Sequence, residues 1–396
     1  MICKLTKKKI IPIMSFGKMP IANGFIKKKN FKKEFFYEMK VGFNENLSLF
    51  QLGEHPKPDL MFNNNYPFFS GSSEYMRIHF KKYSNFLKKN YVKTNSKIIE
   101  IGSNDGTMLE NFKNTSNSIF GFEPSQNVAM VAERKKLPTI KDFFNLKSID
   151  KIKSFNSNTD LIFASNVICH VPDLDNLIKS IDKLLSKNGT FVFEEPYIGS
   201  MFKKVSYDQI YDEHIFMFSL SSISKIFRLY DFELTYAEPQ STHGGSMRYV
   251  IKRKNKNSDL KIVKKLLEFE KKQKIDTIET SIEFKKNCEK SKIKLLNKIK
   301  FLKDRNKKIC GYGATSKSTT ILNYCKIGIE SIDYICDTTK EKIGKYSPGR
   351  HIPIVDMNFF HKNQPDYIYL FAWNHKKEIF QKESKFKGKW FSHVSL

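Results

Sequence analysis

Ile98-Ile-Glu-Ile-Gly-Ser-Asn-Asp-Gly106 is the stretch whose reading decides the fold. A short β-branched, apolar run reads as a buried strand, and it runs straight into a turn bounded by two glycines. A short helix follows at Met108 to Phe112. The same texture repeats outward. Ser118-Ile-Phe-Gly-Phe-Glu123 predicts a second strand, Leu161-Ile-Phe-Ala164 a third and Thr190-Phe-Val-Phe-Glu194 a fourth. Helical patterns lie before and between them, at Met76 to Lys89 and Leu174 to Ser186. Strands alternating with helices predict an α/β fold, a parallel sheet covered on both faces. Farther on, Lys308-Ile-Cys-Gly-Tyr-Gly-Ala314 opens a second unit of this kind, with strands at Ile332 to Ile335 and Tyr367 to Ala372. Between the two units, Leu260 to Lys303 has no Pro or Gly and predicts one or two lysine-rich, solvated helices. The first 75 residues are broken by Pro12, Pro20, Gly24, Gly53, Pro56 and Pro58, and read as a small, irregular, partly β domain. The expected domains are therefore 1–75, 76–254 and 255–396.

The glycine turn belongs at the carboxyl ends of parallel strands, where ligands bind in such sheets. Glu123 ends the next strand, where an acid can accept hydrogen bonds from both hydroxyls of a ribose. A dinucleotide and S-adenosylmethionine both fit this outline. The spacing is GxxxG, not GxGxxG. Glu100 and Asp105 would repel a pyrophosphate but suit an ammonium and a sulfonium. The reading favours S-adenosylmethionine, with Glu100, Gly102, Asn104, Asp105, Gly106, Glu123 and Pro124 around it. Asn166 and His170 follow the third strand and would stand where cofactor meets substrate.

A second cluster is Tyr207-Asp-Gln-Ile-Tyr211-Asp-Glu-His214. An imidazole can take up a proton at neutral pH, a carboxylate can orient it, and a tyrosine can donate to an oxygen that gains charge. His243-Gly-Gly-Ser-Met-Arg248 places a further His and an Arg beside flexible backbone, which suits an anionic group or is simply a turn.

Of 396 residues, 40% are hydrophobic and 28% charged, a globular composition. No apolar run reaches the length of a membrane span, and Met1 to Phe16 has no apolar signal-peptide block. No membrane partner is expected. The formal charge of +28 would suit nucleic acid. Only seven basic residues are arginine, the residue of planar phosphate recognition, so the excess is read as lysine-biased composition with no nucleic-acid partner. Six scattered cysteines without a CxxC predict neither a disulfide framework nor a zinc site, and place the chain in a reducing cytoplasm.

Taken in order, these motifs resemble the S-adenosylmethionine-dependent C-methyltransferases of nucleotide-linked deoxysugars. The segments are Gly17-Lys-Met-Pro-Ile-Ala-Asn-Gly-Phe25, Glu100 to Gly106, Asn166 to Asp173, Glu195-Pro-Tyr197, Tyr211-Asp-Glu-His214, His243 to Ser246, Gly311 to Ala314, Lys345 to Gly349 with His351-Ile-Pro353, and Ala372-Trp-Asn374. The resemblance implies a small N-terminal domain, a central class I methyltransferase domain, and a Rossmann-like C-terminal domain that helps hold the sugar nucleotide. It implies His214 as general base, with Tyr211, Glu213 and His170 in the active site. It implies substrate contacts at Tyr66, Phe68, Tyr197, His243, Gly244, Arg248, Tyr312, Lys317, Lys345, His351 and Trp373. The implied reaction is methylation of the carbon beside the ketone of a 4-keto sugar in surface-polysaccharide or related sugar biosynthesis, by a monomer or homodimer. O-methylation of a sugar nucleotide, or methylation of RNA, are the other enzyme readings.

Two departures stand out. Where the family's N-terminal domain carries two Cys-x-x-Cys pairs for zinc, this chain has Cys3-Lys-Leu-Thr6 and Asn44-Glu-Asn-Leu47. One thiolate cannot hold a structural zinc, so none is expected and packing through Phe35, Phe36, Phe43, Leu49 and Phe50 must replace it. In Tyr66-Pro-Phe-Phe-Ser70, either Phe68 has replaced a substrate-facing tyrosine or Tyr66 serves.

Overall fold

The computed structural model describes residues 1–255 and 260–395. The chain builds three sheets. The largest has seven strands, in the order Phe232–Gln240, Ser246–Arg253, Leu185–Pro196, Thr159–Ser165, Lys97–Ile101, Ser118–Phe122 and Thr139–Ile140. Its last five strands are parallel. Ser246–Arg253 runs antiparallel to both its neighbours. This is the class I methyltransferase arrangement inside an α/β protein, and the four parallel strands read from sequence are all present. Ile98, Ile99, Leu161, Ile162, Phe163, Phe191 and Val192 are wholly buried, as strands covered on both faces must be. Strand order reverses between Lys97–Ile101 and Thr159–Ser165, so Gly102 and Asn166 emerge side by side at the switch point, where ligands bind in open sheets.

The second sheet holds five parallel strands in the order Ile354–Val355, Ile335–Cys336, Ile309–Tyr312, Tyr367–Leu370 and Lys389–Phe391. Its switch point lies after Tyr312. There Gly313 takes a φ of +87°, and a Cβ on it would come within 2.9 Å of the Ala372 Cβ. The lysine-rich stretch forms two helices, Lys261–Lys272 and Ile278–Lys303. The boundary expected after residue 254 abuts residues 256–259, which lie outside the described residues.

The third sheet is antiparallel and more regular than its sequence suggested: Ile11–Pro20, Phe36–Asn44, Leu49–Leu52 and, from far along the chain, Phe216–Met217. Phe43, Leu49 and Phe50 are buried in it as expected, but Phe35 and Phe36 remain 45% and 42% exposed and stay outside the buried core, Phe35 stacking on Tyr37. In one of the two loops aligned with the family's zinc pairs, the Thr6 amide donates to Cys3 Sγ at 3.5 Å. In the other, the Leu47 amide donates to Asn44 Oδ1 at 3.1 Å. Hydrogen bonds thus close both turns. Met14, Phe16 and Met19 of this sheet share one core with Met201 and Ile210 of the central unit and Ile321 and Leu322 of the C-terminal one. All six cysteines are free and buried. No helix among the described residues is long and apolar enough to cross a membrane.

Candidate active site

The three sheets converge on a cavity of about 280 Å³. On one side lie the carboxyl ends of Lys97–Ile101 and Thr159–Ser165. Gly102 has a φ of +68°, and a Cβ there would lie 2.4 Å from the Val167 side chain, so only glycine lets the backbone turn here. Glu123 lines the cavity with its carboxylate fixed from behind: Asn104 N donates to one oxygen at 3.0 Å and Ser125 N to the other at 2.7 Å. Each oxygen keeps a second acceptor position. Burial pushes the Glu123 carboxyl up to about 7. Pro124 and Asn166 line the same wall, and Asn166 Oδ1 has no hydrogen-bond partner. A tight glycine turn, an oriented diol acceptor and an unpaired amide oxygen fit an adenosine-bearing cofactor.

The acidic loop itself does not fit as expected. Asp105 turns away from the cavity to accept from Gly71 N at 2.8 Å and Thr107 Oγ1 at 2.6 Å. Glu100 is buried beneath the loop, and burial, reinforced by Asp105, holds its carboxyl well above the usual range. Gly106 is a packing glycine, against Leu137 and Ala132. The acidic groups facing the cavity are instead Glu123 and Glu213.

The turn Tyr207–Gln209 and the segment after it build the next wall. Burial holds His214 well below its ordinary pKa, so its imidazole is neutral. Its Nδ1 lies 2.7 Å from the Gln209 carbonyl, which can only accept, so Nδ1 carries the proton. Nε2 is therefore the basic nitrogen, and it accepts from the Tyr211 hydroxyl at 2.7 Å. His170 stacks on His214 with centroids 5.3 Å apart. Its Nε2 is buried without a partner, and burial lowers its pKa to about 3. Glu213 accepts from Asn23 Nδ2 at 2.6 Å and from the Tyr66 hydroxyl at 3.1 Å. Of Tyr66 and Phe68, which both line the cavity, Tyr66 is the one that meets Glu213, while Phe68 is 47% exposed. Cys169, His170 and His214 bring ligand-type atoms within 4.8 Å of one another. Burial and Glu195 keep the Cys169 thiol protonated, and both His214 nitrogens are already paired. That chemistry does not favour a metal.

The C-terminal unit supplies the remaining wall. Thr315 caps the helix Ser316–Tyr324, and Thr315, Ser316 and Lys317 all face the cavity. Lys317 is only 8% exposed. Its Nζ donates to Asn374 Oδ1 at 3.1 Å and lies 4.8 Å from the Trp373 ring, and burial lowers its pKa to about 8. Lys342 lines the cavity as well, its Nζ donating to the Ala314 carbonyl at 2.8 Å. His243 is a cavity residue with an unpartnered Nε2.

Several expected substrate contacts are elsewhere. Arg248 lies opposite Glu194 in the strand register, and its guanidinium is consumed by a buried pair to Glu194 at 2.6 Å and a second to Glu238 at 2.9 Å. Its charge is balanced by these two carboxylates, and it does not line the cavity. Tyr197 is engaged with the buried Glu270 carboxylate. Tyr312 donates to Glu383 at 2.9 Å within the sheet's far core. His351 pairs with Glu34 at 2.7 Å and stacks on Phe31. Lys345 is half-buried outside the cavity. Gly244 and Trp373 pack on one another beneath it: a Cβ on Gly244 would overlap the indole, whose Nε1 donates to Asp208 Oδ2 at 2.6 Å. Conversely, the sequence reading missed Asn23, Thr315, Ser316, Lys342 and Asn374. Asn23 and Asn374 stood inside quoted motifs without a role, and Thr315-Ser316 follows the second glycine turn directly.

Residues 74–237 match the family model of a methyltransferase domain, and residues 241–394 that of the C-methyltransferase C-terminal domain. The chain is 26% identical over 379 residues to C-methyltransferase NovU of Streptomyces niveus, covering 95% of this chain and 90% of that one. Among solved structures, an S-adenosylmethionine-dependent methyltransferase from Thermotoga maritima aligns with a TM-score of 0.36 at 16% identity, over 45% of this chain and 90% of that one. Magnesium protoporphyrin IX methyltransferase from Synechocystis PCC 6803 with bound S-adenosylhomocysteine aligns with a TM-score of 0.35 at 12% identity, over 45% and 83%.

Proposed function

Since the chain belongs to the S-adenosylmethionine-dependent C-methyltransferases, we propose that it methylates the carbon beside the ketone of a nucleotide-linked 4-keto deoxysugar, in surface-polysaccharide or related sugar biosynthesis. The observation that carries this reading is the neutral His214, with its proton on Nδ1 and its basic Nε2 held by Tyr211. It shares a cavity with a lysine-bearing helix N-terminus. The helix end Thr315-Ser316-Lys317, with Lys342, offers amide donors and two cations to a diphosphate. Gly102, Asn104, Glu123, Pro124 and Asn166 would hold S-adenosylmethionine, which when bound supplies an electrophilic methyl group. Six free cysteines fit the reducing cytoplasm.

The hydrogen bond from Tyr211 to Nε2 gives the base a trigger. A hydroxyl has one proton to donate. When a ketone oxygen enters the cavity, the Tyr211 hydroxyl transfers its donation to that oxygen, where negative charge develops as the neighbouring carbon loses its proton. The Nε2 lone pair is then free to receive that proton. His170, neutral and unpaired, can donate a second hydrogen bond to the same oxygen if its proton resides on Nε2.

The test is incubation with a panel of nucleotide 4-keto sugars and S-adenosylmethionine, with products weighed by mass spectrometry. A gain of one methyl on carbon is expected. In deuterium oxide without methyl donor, deuterium should enter the position beside the ketone. Methylation without such exchange in any substrate would point to a hydroxyl acceptor and overturn the proposal.

A further inference from the structure

The N-terminal sheet sends one loop into the active site. After strand Ile11–Pro20, the chain turns at Ala22-Asn23 and is pinned there from both other units. Ala22 N donates to Asp212 Oδ2 at 3.0 Å, the Thr319 hydroxyl of the C-terminal helix donates to the Ala22 carbonyl at 2.8 Å, and Asn23 Nδ2 donates to Glu213 Oε1 at 2.6 Å. Asn23 lines the cavity itself. Among the described residues, the carboxylate it holds accepts from one other side chain, the Tyr66 hydroxyl at 3.1 Å on the other oxygen. Asn23 and Tyr66 therefore grip Glu213 from its two ends, and one of those ends belongs to a different sheet.

We infer that Asn23 is a positioning residue for methyl transfer: the N-terminal sheet, with its zinc ligands gone, still serves the reaction by fixing the orientation and ionisation of Glu213. The inference rests on the reading that Glu213 works in the reacting cavity. A donor aimed at a carboxylate stabilises its charged form. That matters here because burial and the adjacent Asp212 carboxylate both oppose ionisation. The other groups facing Glu213 are the Tyr66 and Tyr211 hydroxyls, the Cys169 thiol, the neutral His170 and His214, and Lys342, whose charge favours the carboxylate. Only Asn23 and Tyr66 touch it directly among them.

The test reads Glu213 without any substrate. In full-length protein carrying carboxyl-¹³C glutamate, the Glu213 resonance is assigned as the one lost in Glu213→Gln, and its titration is followed by NMR. Asn23→Ala should move the midpoint up. Asn23→Asp, nearly the same shape, should move it further, because it replaces a donor with a second negative charge. If the alanine variant does not fold, the isosteric aspartate carries the test. An unchanged midpoint in the folded variants would overturn the inference. With substrate, the acid limb of the kcat profile should move up in step, and kcat at neutral pH should fall up to about 100-fold with KM little changed. A purely structural role would lower kcat without moving the limb. If the midpoint moves but the wild type methylates no nucleotide sugar, the substrate reading fails and the Asn23–Glu213 coupling stands.

Discussion

At the scale of single residues, the site works through pairings that spend each group's few hydrogen-bonding positions. His214→Ala removes the basic nitrogen and should lower turnover about 100- to 10,000-fold, while calorimetry finds S-adenosylmethionine binding intact. Tyr211→Phe leaves Nε2 unmasked but removes the tyrosine's hydrogen bond to the oxyanion. It should therefore lose kcat more than KM while still exchanging some deuterium into substrate. Gly102→Ala forces a side chain into positive φ and into Val167. It should cost about 1–3 kcal/mol in urea unfolding and weaken cofactor binding in the same preparation. The His214 group was legible in the sequence because its members are contiguous. Arg248, Tyr312 and His351 were not, because what decides their role is a partner 54, 71 and 317 residues away. A residue type shows what a side chain can do. Only the fold shows whether it is already engaged.

At the scale of elements, two buried carboxylates join strands and helices. Arg248→Met would strand Glu194, which is wholly buried and also meets His79 at 2.5 Å. Breaking one side of such a pair should cost about 3–5 kcal/mol, read as a lowered urea midpoint at unchanged slope. Glu270 leaves helix Lys261–Lys272 to accept from Leu220 N, Ser221 N and the Ser221 hydroxyl at 2.7–2.9 Å, at the start of helix Leu220–Arg228. It ties the linker helix to the central unit. Four parallel strands of the central sheet were readable from their apolar runs, while the antiparallel pair Phe232–Gln240 and Ser246–Arg253 was not read. Thr139–Ile140 and Ile354–Val355 have two residues each, too few for any periodicity to show, and the strand expected at Ile332 to Ile335 forms only at Ile335–Cys336. The regular N-terminal meander was hidden because its prolines and glycines sit at turns and bulges that the register absorbs.

At the scale of the whole molecule, the net charge of +28 and the chemistry separate. The cavity carries two buried acids, Glu123 and Glu213, beside Lys317 and Lys342, while Glu195 is buried outside it. Burial raises Glu123, Glu195 and Glu213 to about 7. The folded state therefore binds more protons than the unfolded one, and stability falls as pH rises through those values. His170 and His214 act with the opposite sign, but only below the ordinary histidine range. Cofactor-free protein should thus lose unfolding free energy from about pH 6.5 to 7.5, measured by urea titration at fixed ionic strength. A flat profile would show that these acids are not shifted. The N-terminal sheet has one more consequence, and it concerns time. Its fourth strand, Phe216–Met217, leaves the ribosome long after the first three and directly follows His214. Until that strand arrives, the meander has an open edge and the Tyr211–His214 segment has no sheet to lie against. Long-range pairing of this kind forms late. On the proposed mechanism, a nascent or truncated chain therefore gains its base only in the act of closing its first sheet, and an incomplete copy should show no methyl transfer.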